Sequence, residues 1–199
     1  MRNRAVCLFT AVGLLVVGLG VLAAQTGGNA PPGAPPGAPP GAPPMLKAGK
    51  AHEVLKKFAG TWDAEISEDG PTGPVKSKGS DVSKLVVGGM WLMTEFKGQV
   101  MGAEFEGCGL TGYDEANGKY VGSWVDTQTP MPMHLIGTYD EKTKTLTMMS
   151  SAPGPEGKPT QMRHKDTFVS DDHRSYSIEV EMGPDTFMKV LDIQYKRRK

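Results

Sequence analysis

The chain has 199 residues, 38% hydrophobic and 22% charged, enough for one ordinary domain with appendages and too little for two full domains. Lys and Arg total 22, as do Asp and Glu, so the formal net charge is zero and the basic excess of a nucleic-acid binder is missing. The only cysteines are Cys7 and Cys108, and no C-x-x-C occurs, so a paired-cysteine zinc site is excluded.

Taken in chain order, Arg2 and Arg4 precede an almost wholly apolar run from Ala5 to Leu22, followed by Ala23, Ala24 and polar Gln25. That order of charge, hydrophobe and small residue predicts an export signal, or an uncleaved membrane anchor, over 1–24. The protein is therefore expected outside the cytoplasm, in the periplasm, secreted or associated with the cell envelope. If the signal is removed, the expected mature chain keeps one cysteine, which excludes an internal disulfide. Residues 31–44 read PPGAPPGAPPGAPP, a four-residue period that rules out collagen and predicts an extended spacer within a linker spanning 25–47.

A folded domain is expected over 48–199. Ala51, Val54, Leu55 and Phe58 make one helical stripe, with His52, Lys56 and Lys57 on the other side, predicting about three turns before Gly60. Ten strands follow, at 60–68, 75–86, 90–97, 103–113, 119–127, 133–139, 144–150, 161–169, 174–182 and 186–195. Asp69-Gly70, Gly88-Gly89, Asn117-Gly118, Asp171-Asp172 and Gly183-Pro184-Asp185 supply turn chemistry between them. No crossover helix interrupts the series. The fold class is therefore all-β: an antiparallel meander of about ten strands closing into a barrel, with one short N-terminal helix packed on it.

The strand faces are of two kinds. Tyr176, Ile178, Val180 and Met182 alternate cleanly with polar residues, but Met162 and Phe168 share a face with His164 and Asp166, Trp124 shares one with Asp126, and Phe187, Leu191, Ile193 and Tyr195 share one with Lys189. Polar groups on a core-facing surface cost free energy unless paired or wetted, so a partly polar, partly aromatic lumen is expected.

Gly60-Thr61-Trp62 after a short helix resembles the G-x-W opening of lipocalin-type barrels. With His52-x-x-Leu55, Gly88-Gly89 before Trp91, Gly112-Tyr113-Asp114, Trp124-Val125-Asp126, Gly137-x-Tyr139-Asp140 and Tyr195 before basic residues, the pattern resembles a bacterial family known as domain of unknown function 1579. The resemblance covers about 52–197. It implies a lipocalin-like barrel and carries over no catalytic residue.

No nucleophile elbow, phosphate loop, H-E-x-x-H or EF-hand spacing occurs, and no catalytic residue, resident metal or cofactor is assigned. The expected activity is binding of a small apolar or amphipathic ligand. Trp62, Trp91, Trp124 and Tyr195 would supply aromatic surface, and Asp126, His134 and Arg163 the polar fixing points. Asp126 has a second reading, as a cap for the loop that follows it. Two alternatives stay open: a structural or interaction barrel filled by its own side chains, and a metal- or haem-binding barrel using His134 or His164 with nearby Met131, Met133 and Met162.

Overall fold

A computed structural model describes residues 46–70, 73–153 and 158–199. The expected export signal, and the spacer up to residue 45, lie outside the described residues. Alternating side chains and tight turns produce ten strands: β1 (Gly60–Gly70), β2 (Gly73–Val86), β3 (Trp91–Val100), β4 (Ala103–Asp114), β5 (Lys119–Asp126), β6 (Met133–Asp140), β7 (Thr145–Pro153), β8 (Pro159–Ser170), β9 (His173–Gly183) and β10 (Thr186–Arg197). Each pairs antiparallel with its successor, and β10 pairs with β1 to close the barrel. Closure leaves no free edge, the constraint that the uninterrupted series of hairpins anticipates.

The turns are built by short polar side chains. Asp114 Oδ1 accepts the backbone N–H groups of Ala116 and Asn117, and Gly118 takes a φ of 63°. Asp140 Oδ1 does the same for Lys142 and Thr143. A carboxylate accepting backbone N–H groups two and three residues ahead fixes the turn locally, before any tertiary contact.

One end of the barrel is closed by α1 (His52–Phe58), two turns where the stripe predicted three. Too short to be stable alone, it is held by what it buries and by what satisfies its ends. Val54, Leu55 and Phe58 pack on Leu92, Tyr120, Leu146 and Met148. The Tyr120 hydroxyl donates to Ala51 O at 2.8 Å, Trp62 Nε1 donates to Phe58 O at 3.0 Å, and Arg197 Nη1 donates to Ala59 O at 2.8 Å. The helix thus has both ends tied to the barrel wall. Its polar side includes a correction: His52 is buried, because its Nδ1 accepts Gly49 N–H at 2.9 Å and its ring meets Tyr113 edge-on.

A second departure is a bulge in β10. The register passes from Lys189↔Glu179 to Leu191↔Ile178, leaving Val190 unpaired. One extra residue reverses the side-chain parity. Phe187 and Lys189, expected on the face of Leu191, Ile193 and Tyr195, point outward instead.

Trp62 is completely buried where α1 meets the wall. Trp62→Ala is expected to cost about 3–5 kcal/mol in urea melts, the range for emptying a large aromatic site. Trp62→Phe keeps most of the volume but orphans the Phe58 carbonyl, and should cost about 1–3 kcal/mol.

Candidate functional site

With the α1 end taken as the floor, the mouth lies at the opposite end, where the described residues include the β3–β4 turn, the loop from Asp126 to Met133 and the β9–β10 turn. Inside lies a cavity of about 370 Å³. Its lining is dominated by Phe96, Phe105, Trp124, Leu135, Ile178 and Leu191, and polar groups enter mainly near the floor.

The floor is organised around Arg174 on β9, which is almost fully buried. Its Nη2 donates to Asp81 Oδ2 on β2 at 2.6 Å, and its Nη1 to Asp166 Oδ2 on β8 at 2.5 Å. The guanidinium also lies 4.0 Å from the Tyr195 ring centroid and 5.0 Å from that of Trp62. Ser83 donates to Asp81 Oδ1 at 2.7 Å. Burial works against the arginine's charge, but the two carboxylates more than compensate, so it stays charged. For Asp166 burial is the larger influence and raises its carboxyl to about 6 although Arg174 pulls it down. Asp166 Oδ1 and Arg174 Nε have no hydrogen-bond partner.

Beside this cluster, His164 on β8 bridges two strands. Nε2 meets Ser150 Oγ at 2.8 Å and Nδ1 meets the Tyr176 hydroxyl at 2.8 Å. Burial lowers its pKa to about 4, so the imidazole is neutral at physiological pH. Both ring nitrogens are engaged, which leaves neither open to a metal or haem iron in this arrangement. Among the described residues, no group of three His, Cys, Asp or Glu side chains is placed to hold a metal ion.

At the mouth, Trp124 on β5 lies against β4 at Gly107 and Gly109. A Cβ on Gly107 would collide with the indole, and one on Gly109 would meet it at 2.8 Å. Two glycines side by side on the inner face let a large ring lie flat on the wall, leaving the centre free. Trp124 Nε1 donates to Asp126 Oδ2 at 3.0 Å, while Asp126 Oδ1 accepts the N–H groups of Gln128 and Thr129. Asp126 therefore caps the loop and fixes the indole with the same carboxylate.

Of the seven residues expected at the site, Trp124, Asp126 and Tyr195 line the cavity. Trp62 lies beneath it as part of the floor. Trp91, Arg163 and His134 are not brought there. Trp91 covers Gly112 on the outer face of the barrel. Arg163 pairs outside with Glu179 at 2.5 Å and stacks on Phe187. His134 is exposed, because its neighbours Met133 and Leu135 take the inward positions. Sequence reasoning missed Asp81 and Arg174. Arg174 has the parity of Tyr176 and Ile178, so extending that alternation two residues back along β9 reaches it.

A closed ten-stranded antiparallel barrel with a plugged floor and an internal cavity defines the class: a lipocalin-like β-barrel. Within it, the chain belongs to the family described as protein of unknown function (DUF1579), whose model matches residues 47–197. The solved structures it resembles include Rv2717c from M. tuberculosis, with 14% identity over 76% of this chain and 99% of that one and a TM-score of 0.55. They also include the S-type phycobiliprotein lyase CpeS from Guillardia theta, with 9% identity over 75% and 93% and a TM-score of 0.52. At these identities the likeness is one of fold. No curated protein matches the chain.

The buried imidazole makes stability depend on pH. Unfolded, it takes up a proton near its ordinary 6.5; folded, it resists to about 4. Its contribution is complete above pH 6.5 and is lost as pH falls from there to about 4, on the order of 3 kcal/mol. Asp166 acts oppositely: its folded carboxyl keeps a proton that the unfolded one has released between about 4 and 6, so its share falls as pH rises through that window. His164→Gln should remove only the first effect. The stability difference between wild type and variant should shrink by about 3 kcal/mol between neutral pH and about pH 4 in urea melts. A constant difference would mean that the imidazole is hydrated.

Proposed function

We propose that this barrel takes a small apolar or amphipathic molecule into its lumen and holds or carries it without transforming it. The observation that carries the reading is a cavity of about 370 Å³ that runs from the mouth down to the Arg174 cluster and is walled largely by aromatic and aliphatic side chains. That size and polarity suit a small-molecule site, for which about 300–1,000 Å³ is usual. The glycine pair under Trp124 supports it further, since larger residues at Gly107 and Gly109 would push the ring into the lumen. Beneath the cavity, the α1 end is packed with the protein's own side chains, as in the structural alternative, so that reading applies to the plug. The signal-like order of residues 1–24 and the proline-rich spacer support a site of action outside the cytoplasm, tethered to the cell envelope.

The test uses a neutral apolar dye, N-phenyl-1-naphthylamine, titrated into the purified chain and followed by dye fluorescence and tryptophan quenching. One dye per chain is expected. Gly107→Ala should drive the indole inward and weaken binding by about tenfold, ~1.4 kcal/mol, or more. Adding Trp124→Ala to that variant should restore it. Absent binding would overturn the reading, and so would binding indifferent to both substitutions, which would place the dye elsewhere.

A further inference from the structure

The charges facing the lumen are unbalanced. Asp81, Asp126 and Asp166 line the cavity, and among the described residues Arg174 is the one arginine or lysine that does. Arg174 is already committed: each terminal nitrogen serves a carboxylate, and aromatic rings cover the guanidinium. Its single positive charge is spent within the floor cluster, so one carboxylate there, and Asp126 at the mouth, are left without a counter-charge. His164 adds none, its imidazole being neutral.

The hydrogen-bonding inventory points the same way. Asp166 Oδ1 is a buried acceptor with no donor. An ionised carboxylate accepts and never donates, so this oxygen is negative charge at the floor that no neighbouring donor offsets. Arg174 Nε is a vacant donor, yet a ligand carboxylate reaching it would share the guanidinium with Asp81 and Asp166. Like charges at such separations repel strongly where water is scarce. Near the mouth, the indole of Trp124 offers an aromatic face, which attracts cations.

We infer that the lumen selects amphiphiles with a cationic, hydrogen-bond-donating head, such as a primary ammonium, over fatty acids and other anionic amphiphiles. The head sits toward the carboxylates, and the tail lies along Phe96, Phe105, Leu135 and Ile178. This inference rests on the lumen-binding reading and adds the ligand's charge.

Decylammonium, decanol and decanoate share one tail and differ only in the head. Each is titrated at neutral pH against the full-length protein loaded with the neutral dye. Decylammonium is expected to displace the dye at a concentration at least about tenfold below that of decanoate, with decanol between them. Asp166→Asn should narrow that ratio, chiefly by weakening decylammonium. Asp126→Asn, a substitution at the more exposed end, should narrow it too, and provides the same test if the floor variant does not fold. If the dye binds but decanoate displaces it as well as decylammonium does, the head-group inference falls and the lumen reading stands. If neither the dye nor any of the three binds at about 100 µM, a concentration that would reveal even weak sites, both fall together.

Discussion

The fold depends on where Arg174 is held. From β9 it reaches Asp81, 93 residues away on β2, and Asp166 on β8, while its guanidinium packs against Tyr195 on β10 and Trp62 on β1. One side chain thus fixes five neighbouring strands of the wall relative to each other. Burying three charges costs several kcal/mol per ion, which their mutual attraction repays only when the geometry is good. A one-residue slip of any of these strands would turn its member of the cluster outward and leave the others uncompensated. The cluster is therefore better understood as a device for choosing one register than as a source of net stability.

Above that floor the barrel uses glycine to decide which side of its wall is thick. Trp124 lies on Gly107 and Gly109 inside, and Trp91 lies on Gly112 outside. In each case the absence of a Cβ lets an indole lie flat. Inside, this clears the lumen; outside, it covers the wall with apolar surface and intrudes on nothing. The two tryptophans look equivalent in sequence and do opposite things in space.

The architecture was legible because it is local. Ten alternating runs separated by turn residues appear in the structure with ends shifted by a few residues, and the triplet Gly60-Thr61-Trp62 marks the junction of helix and barrel. The site was legible only in part. Trp124 and Asp126 are two apart on one strand, so their shared face follows from the pleat. Trp91, Arg163 and His134 have side chains suited to a site, but strand parity places them outside. The partnership of Asp81, Asp166 and Arg174 joins strands remote in sequence, which periodicity cannot reveal, although each polar residue interrupting an inner face signalled that a partner must exist. The extra residue at Val190 is invisible to a strict two-residue period, and it displaced Phe187 and Lys189.

Closure of the barrel by its first and last strands has a consequence for how it is made. A ribosome delivers β1 early and β10 last, on the order of ten seconds apart at ordinary synthesis rates. Throughout that interval β1 has β2 on one side and nothing on the other, and α1 lacks the Arg197 that holds its final carbonyls. Every other strand finds its successor within a turn. The seam between β1 and β10 is the single pairing that must be found across the whole domain, and it sets the time for which the lumen's aromatic lining stays open to other nascent chains.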